Sequence, residues 1–153
     1  MIRTFAALPR RLLAPAPHSR CSLHFVRLAC AYTYPSGVTK EVLVPGDGAA
    51  VKIGNAVTVH CTGFGKGGDL AVPFWSTRDP GQKPFTFKLG AGEVISAWDA
   101  GVSTMRVGET AAITAVAEHA YGSKGYPKWG ILPGSTLRFE IEVLRTVFQP
   151  TNF

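Results

Sequence analysis

The first forty residues contain no aspartate or glutamate, although they carry Arg3, Arg10, Arg11, Arg20, Arg27 and Lys40. Residues 41–153 hold ten basic and ten acidic side chains, so the formal net charge of +6 arises wholly from the leading segment. A nucleic-acid partner would need a basic face on the folded part, and the charge balance there argues against one. Cysteine is as scarce: Cys21 and Cys30 lie in the leading segment, which leaves Cys61 alone and excludes a disulfide within the folded part. His60 and Cys61 are adjacent and would face opposite sides of a strand, and His119 stands apart. No metal-ligand spacing and no Cys–His nucleophile pair results. No apolar run is long enough to span a membrane, so neither a membrane nor a metal is expected.

What the leading segment does have is arginine and proline. Pro9, Pro15, Pro17 and Pro35 interrupt it, and the acid-free, Arg-rich composition reads as an organelle address rather than as structure. Serine is sparse for a plastid peptide, which favours a mitochondrial address over a plastid one; without a leader the protein would be cytoplasmic. The expected organisation is a disordered extension over 1–36, one folded domain over 37–147 and a short tail over 148–153. An apolar content of 46% suffices for a packed core.

The folded part is dominated by period-two alternation. Val38–Val44 reads as a strand closed by the turn Pro45-Gly46-Asp47-Gly48. Ala56–Thr62 puts Val57, Val59 and Cys61 on one face and Thr58, His60 and Thr62 on the other. Gly63–Asp69 is rich in glycine but lacks the lysine and hydroxyl pattern of a phosphate-binding loop, and no helix follows it. Phe74 and Trp75 lead into a polar turn over 76–83, and Phe85, Phe87 and Leu89 alternate again. Between Leu89 and Met105, Val94, Ile95, Trp98, Val102 and Met105 recur at spacings of three and four, one face of a short helix entered through Gly90–Gly92. Glu109–Val116 and Thr136–Val147 are further strands, the second with Leu137, Phe139, Ile141 and Val143 inward. Between them lies an irregular stretch holding Tyr121, Tyr126 and Trp129, and loops this aromatic are more often functional than connective. The pattern predicts an α+β fold, an antiparallel sheet wrapped against one short α-helix.

Val59-His60-Cys61-Thr62-Gly63, Lys83-Pro84-Phe85-Thr86-Phe87, Gly92-Glu93-Val94-Ile95 with Trp98 and Gly101-Val102, and Ala120-Tyr121-Gly122 resemble the ordered motifs of the FKBP-type peptidyl-prolyl isomerases. The resemblance spans about residues 37–146. Phe74-Trp75-Ser76-Thr77, Asp79-Pro80-Gly81 and Trp129-Gly130-Ile131 look most like the small single-domain forms of plants and green algae. The resemblance implies a bent antiparallel sheet around one helix and a cofactor-free, monomeric isomerase that acts on proline-containing polypeptides. It also implies a capacity for macrolide ligands such as tacrolimus or rapamycin.

It would place Trp98 at the floor of a proline pocket, with Phe74, Phe85, Val94, Ile95 and Phe139 as walls. Tyr121 and the Ile95 backbone N–H would be hydrogen-bond donors, with Cys61, Trp75, Glu93, Tyr126 and Ile131 as further binding positions. Two positions depart from many relatives, which carry an aspartate where Trp75 stands and a tyrosine where Cys61 stands. These departures bear on macrolide affinity more than on turnover. The alternative to an enzyme is a binding module that holds a proline-bearing partner or a macrolide without turnover.

Overall fold

The structure is a computed structural model that describes residues 33–150, so residues 1–32 of the expected 1–36 extension lie outside the described residues. Six strands and one helix follow in the order β1 (Val38–Val44), β2 (Ala56–Phe64), β3 (Pro73–Ser76), β4 (Phe85–Lys88), α1 (Ser96–Val102), β5 (Thr110–Ala115) and β6 (Leu137–Val147). Single turns of 3₁₀ helix occupy Lys66–Gly68, Ala117–His119 and Pro127–Trp129. The sheet runs β1-β5-β6-β2-β3 with every pairing antiparallel, and β4 also pairs with β2. This is the α+β arrangement that the alternation predicts.

The alternation decides which face meets the helix. Along β2, Val57, Val59 and Cys61 are buried while their neighbours are half-buried, and along β6 the same holds for Leu137, Phe139, Ile141 and Val143. The registers Val59↔Val143, Cys61↔Ile141 and Ile113↔Phe139 bring these side chains into one layer. A register shift between Thr58 and Val59 bends the two longest strands around the helix. Helix α1 closes the layer with Ala97, Trp98, Gly101 and Val102. Gly101 is there for a packing reason: a Cβ on it would lie 2.3 Å from Ile113 Cδ1, so the helix backbone rests directly on β5.

The helix is shorter than its apolar spacing suggests. Ile95 is extended (φ −61°, ψ 149°) and forms the N-cap, so Val94 and Ile95 precede the helix, and Met105 follows it although fully buried. At the far end the hydroxyls of Ser103 and Thr104 donate to the carbonyls of Ala100 and Gly101, both at 2.8 Å, satisfying acceptors that a further turn would have used.

Strand β3 is absent from the alternation pattern, and residue 77 explains how it fits. Strands β3 and β4 share one edge of β2, and between them Thr77 stands in for a strand: its N–H donates to the Cys61 carbonyl at 2.9 Å and its hydroxyl accepts from the Cys61 N–H at 3.0 Å. The ordered contacts also reach back ahead of β1. The Tyr34 hydroxyl meets Thr104 Oγ1 at 2.9 Å, and Lys40, buried, pairs with Glu109 at 2.5 Å while donating to Thr104 at 3.0 Å. The second Glu109 oxygen accepts from the Arg106 N–H, so the buried carboxylate has partners on both oxygens. No helix among the described residues is long and apolar enough to cross a membrane.

Candidate active site

Where α1 meets the concave side of the sheet, an apolar bowl of about 510 Å³ opens. Its floor is Trp98, held on the first turn of the helix and only 5% exposed. Rings wedge the indole from three sides. Phe139 of β6 meets it edge to face at 5.5 Å, Phe85 of β4 likewise at 6.1 Å, and Phe87 is tilted against it at 5.7 Å. The Trp98 Nε1–H is buried without an acceptor among the described residues. That costs about 1 to 3 kcal/mol unless the surrounding ring faces compensate in part.

One wall is Val94 and Ile95, carried by the bend and the extended residue that lead into α1. Their turn is pinned twice: Glu93 Oε2 accepts from the Lys88 N–H at 2.8 Å, and Asp99 Oδ1 accepts from the Gly90 N–H at 2.9 Å. The opposite wall is Trp75 and Trp129. Trp129 ends the 3₁₀ turn Pro127–Trp129, which Gly130 closes in the left-handed region (φ 69°) where glycine is at ease. Reciprocal hydrogen bonds between Tyr126 and Ile131, at 3.0 and 3.1 Å, clamp this loop. The Trp129 ring lies nearly parallel to Trp75 (5.7 Å, 9°) and to Phe74 (5.6 Å, 18°).

Polar groups are few. Tyr121 supplies a hydroxyl at the rim; burial above all, then neighbouring Tyr126 and Cys61, raise its pKa above the ordinary value, so the phenol stays protonated and can donate. Among the described residues neither this hydroxyl nor the Ile95 N–H meets a hydrogen-bond partner. No described group of three or more His, Cys, Asp and Glu residues could hold a metal ion.

Eight of the residues singled out from sequence come together on the bowl: Trp75, Phe85, Glu93, Val94, Ile95, Trp98, Tyr121 and Phe139. Four others do not line it. Phe74 lies behind the wall, its ring over Gly63, where a Cβ would come 2.3 Å from Cζ, and edge-on to Phe139. Tyr126 packs on Trp129 at 4.8 Å and on Tyr121 at 5.4 Å, backing both. Ile131 is buried in the core, and so is Cys61, whose thiol burial pushes up to about 12. Trp129 was not among the residues singled out for the site. Its aromatic, glycine-rich loop and the Trp129-Gly130-Ile131 motif were the signals for it.

The FKBP-type peptidyl-prolyl cis-trans isomerase family matches residues 48–144. The chain is 56% identical to the peptidyl-prolyl cis-trans isomerase FKBP12 of Vicia faba over 109 residues, 71% of this chain and 97% of the relative. The Arabidopsis thaliana protein of the same name is also 56% identical, over 108 residues, 71% of this chain and 96% of the relative. FK506-binding protein 1 of Dictyostelium discoideum is 42% identical over 109 residues, again 71% and 96%. With more than half of its length in one family match and nearly the full length of its relatives covered, the chain belongs to the FKBP-type peptidyl-prolyl cis-trans isomerases.

Proposed function

We propose that the protein accelerates X-Pro isomerisation by seating the proline ring on Trp98 and offering the twisted amide an apolar bowl with two free donors. Rotation of an X-Pro amide crosses a barrier of roughly 18 to 20 kcal/mol, at whose top resonance and charge separation are lost. A dry apolar lining favours that less polar state over the planar amide, and each ~1.4 kcal/mol of such preference gives about tenfold in rate. The single observation that carries this reading is the pair of donors unpartnered among the described residues, the Tyr121 hydroxyl and the Ile95 N–H, on a cavity whose other lining, Glu93 apart, is rings and aliphatic groups. They can hold the carbonyls that flank the rotating bond without any proton transfer.

The same bowl would admit a macrolide, the ligand class named in the FK506-binding relatives. The acid-free, Arg-rich residues 1–36 support an organelle address, with clients that refold after import. A protease-coupled isomerisation assay on X-Pro peptides tests the function directly. Clear acceleration supports the enzyme; peptide binding without acceleration would make the protein a binding module.

A further inference from the structure

We propose that His119 is a positioning residue that sets the spacing between the two donors of the rim; the proposal rests on the reading of that rim just given. His119 ends the 3₁₀ turn Ala117–His119, two residues ahead of Tyr121. Its ring bridges two other segments. Nε2 is 3.1 Å from the Ser36 carbonyl oxygen, and Nδ1 is 3.0 Å from Ser96 Oγ. A carbonyl can only accept, which assigns the ring proton to Nε2 and leaves Nδ1 to accept from the Ser96 hydroxyl.

Ser96 is the first residue of α1 and follows Ile95 directly. The two ends of this hydrogen bond are therefore one residue from the Ile95 donor and two residues from the Tyr121 donor. Among the described residues no backbone–backbone hydrogen bond joins residues 93–98 to residues 117–122; Ser96 Oγ fastens the two halves of the rim, meeting His119 Nδ1 at 3.0 Å and, at the longer distance of 3.5 Å, the His119 carbonyl oxygen. The Ser36 carbonyl anchors the same imidazole from the segment ahead of β1. Donors that must meet a twisted amide work only when held in place, and a small displacement of either lowers the rate without much change in ground-state binding.

Two replacements of His119 separate its two bonds. Asparagine places a carbonyl oxygen near the position of Nδ1, so His119→Asn keeps the Ser96 contact and loses Ser36. Glutamine reaches the position of Nε2, so His119→Gln keeps Ser36 and loses the side-chain bond to Ser96, leaving only the long contact of Ser96 Oγ with the residue 119 carbonyl.

The test measures kcat and KM for X-Pro peptides in the full chain, with melting curves alongside. Ser96→Ala and His119→Gln should each lower kcat about two- to tenfold with KM little changed. The double variant should be no slower than Ser96→Ala, because both replacements remove the same Ser96–Nδ1 bond, and His119→Asn should retain most of the rate. Wild-type kcat in folded Ser96→Ala, equal losses in His119→Asn and His119→Gln, or multiplied losses in the double variant would each overturn the proposal. Tyr121→Phe distinguishes the two levels. If it is slow while Ser96→Ala is not, only the positioning role falls; if it runs at the wild-type rate, the reading of the rim falls and the positioning role with it.

Discussion

Trp98 and Phe139 meet edge to face, their ring centroids 5.5 Å apart and their planes at 83°. The contact joins the helix to the last strand, so the floor of the bowl is also part of the core. Trp98→Ala should therefore lower kcat/KM sharply and also cost about 3 to 5 kcal/mol of stability. Steady-state kinetics below the melting transition check this, and a folded variant with unchanged turnover would remove Trp98 from the floor.

Trp75 lines the bowl and stacks on Trp129, at the position where the family resemblance implies a carboxylate. A charged hydrogen bond is worth ~1.5 to 3 kcal/mol, so Trp75→Asp should tighten macrolide binding by roughly ten- to a hundredfold in a titration. Peptide turnover should change less, since an X-Pro amide brings no matching hydroxyl. Unchanged macrolide affinity would show that a carboxylate at this position cannot reach the ligand.

Because the proposed mechanism moves no proton, the isomerisation rate should be nearly flat between about pH 6 and 8. Tyr121 keeps its proton throughout that range, its pKa being raised. The Ser96 hydroxyl can accept as readily as it donates, so its bond to His119 survives on either form of the imidazole. A stepped profile that disappears in His60→Gln would mean that His60 takes part in turnover.

Alkaline stability should carry the mark of Cys61. Burial raises its thiol to about 12, so the folded state disfavours the thiolate while the unfolded chain ionises near the ordinary value of 9.0. The resulting stability is complete below pH 9 and lost as pH rises toward 12. Denaturant titrations should show wild type weakening more steeply than Cys61→Ala across that window, and parallel curves would count against it.

Gly101 faces Ile113 so closely that a methyl group has no room. Helix propensity alone would favour alanine by about 1 kcal/mol. Overpacking of roughly 1 to 3 kcal/mol should outweigh it, so Gly101→Ala is expected to lower the melting temperature. A raised melting temperature would show that Ile113 can move aside.

The strands that alternate cleanly were readable from sequence because one face of each is buried: Val57, Val59 and Cys61 on β2, and Leu137 to Val143 on β6. Pro73-Phe74-Trp75-Ser76 was not, since four residues opening on proline show no period and the strand depends on its pairing with β2. The helix was overextended because burial of Val94, Ile95 and Met105 from flanking segments mimics helical spacing. At the site, the type of each lining residue was legible, but which side of a wall it faces was not. Phe74 and Trp75 are neighbours in the chain, yet only Trp75 lines the bowl, and Trp129 joins it from 54 positions further on.

The last strand in the chain is a middle strand of the sheet, between β5 and β2. Asn55 donates to Thr146 across 91 residues, and the whole β2–β6 ladder spans comparable separations. During synthesis, β2 and β5 present unpaired edges until residue 147 has emerged. The domain must then close a very long loop before the ladder can form, which makes its own folding slow and dependent on release of the entire domain. A folding helper built this way is itself exposed to edge-to-edge association while it waits for its final strand.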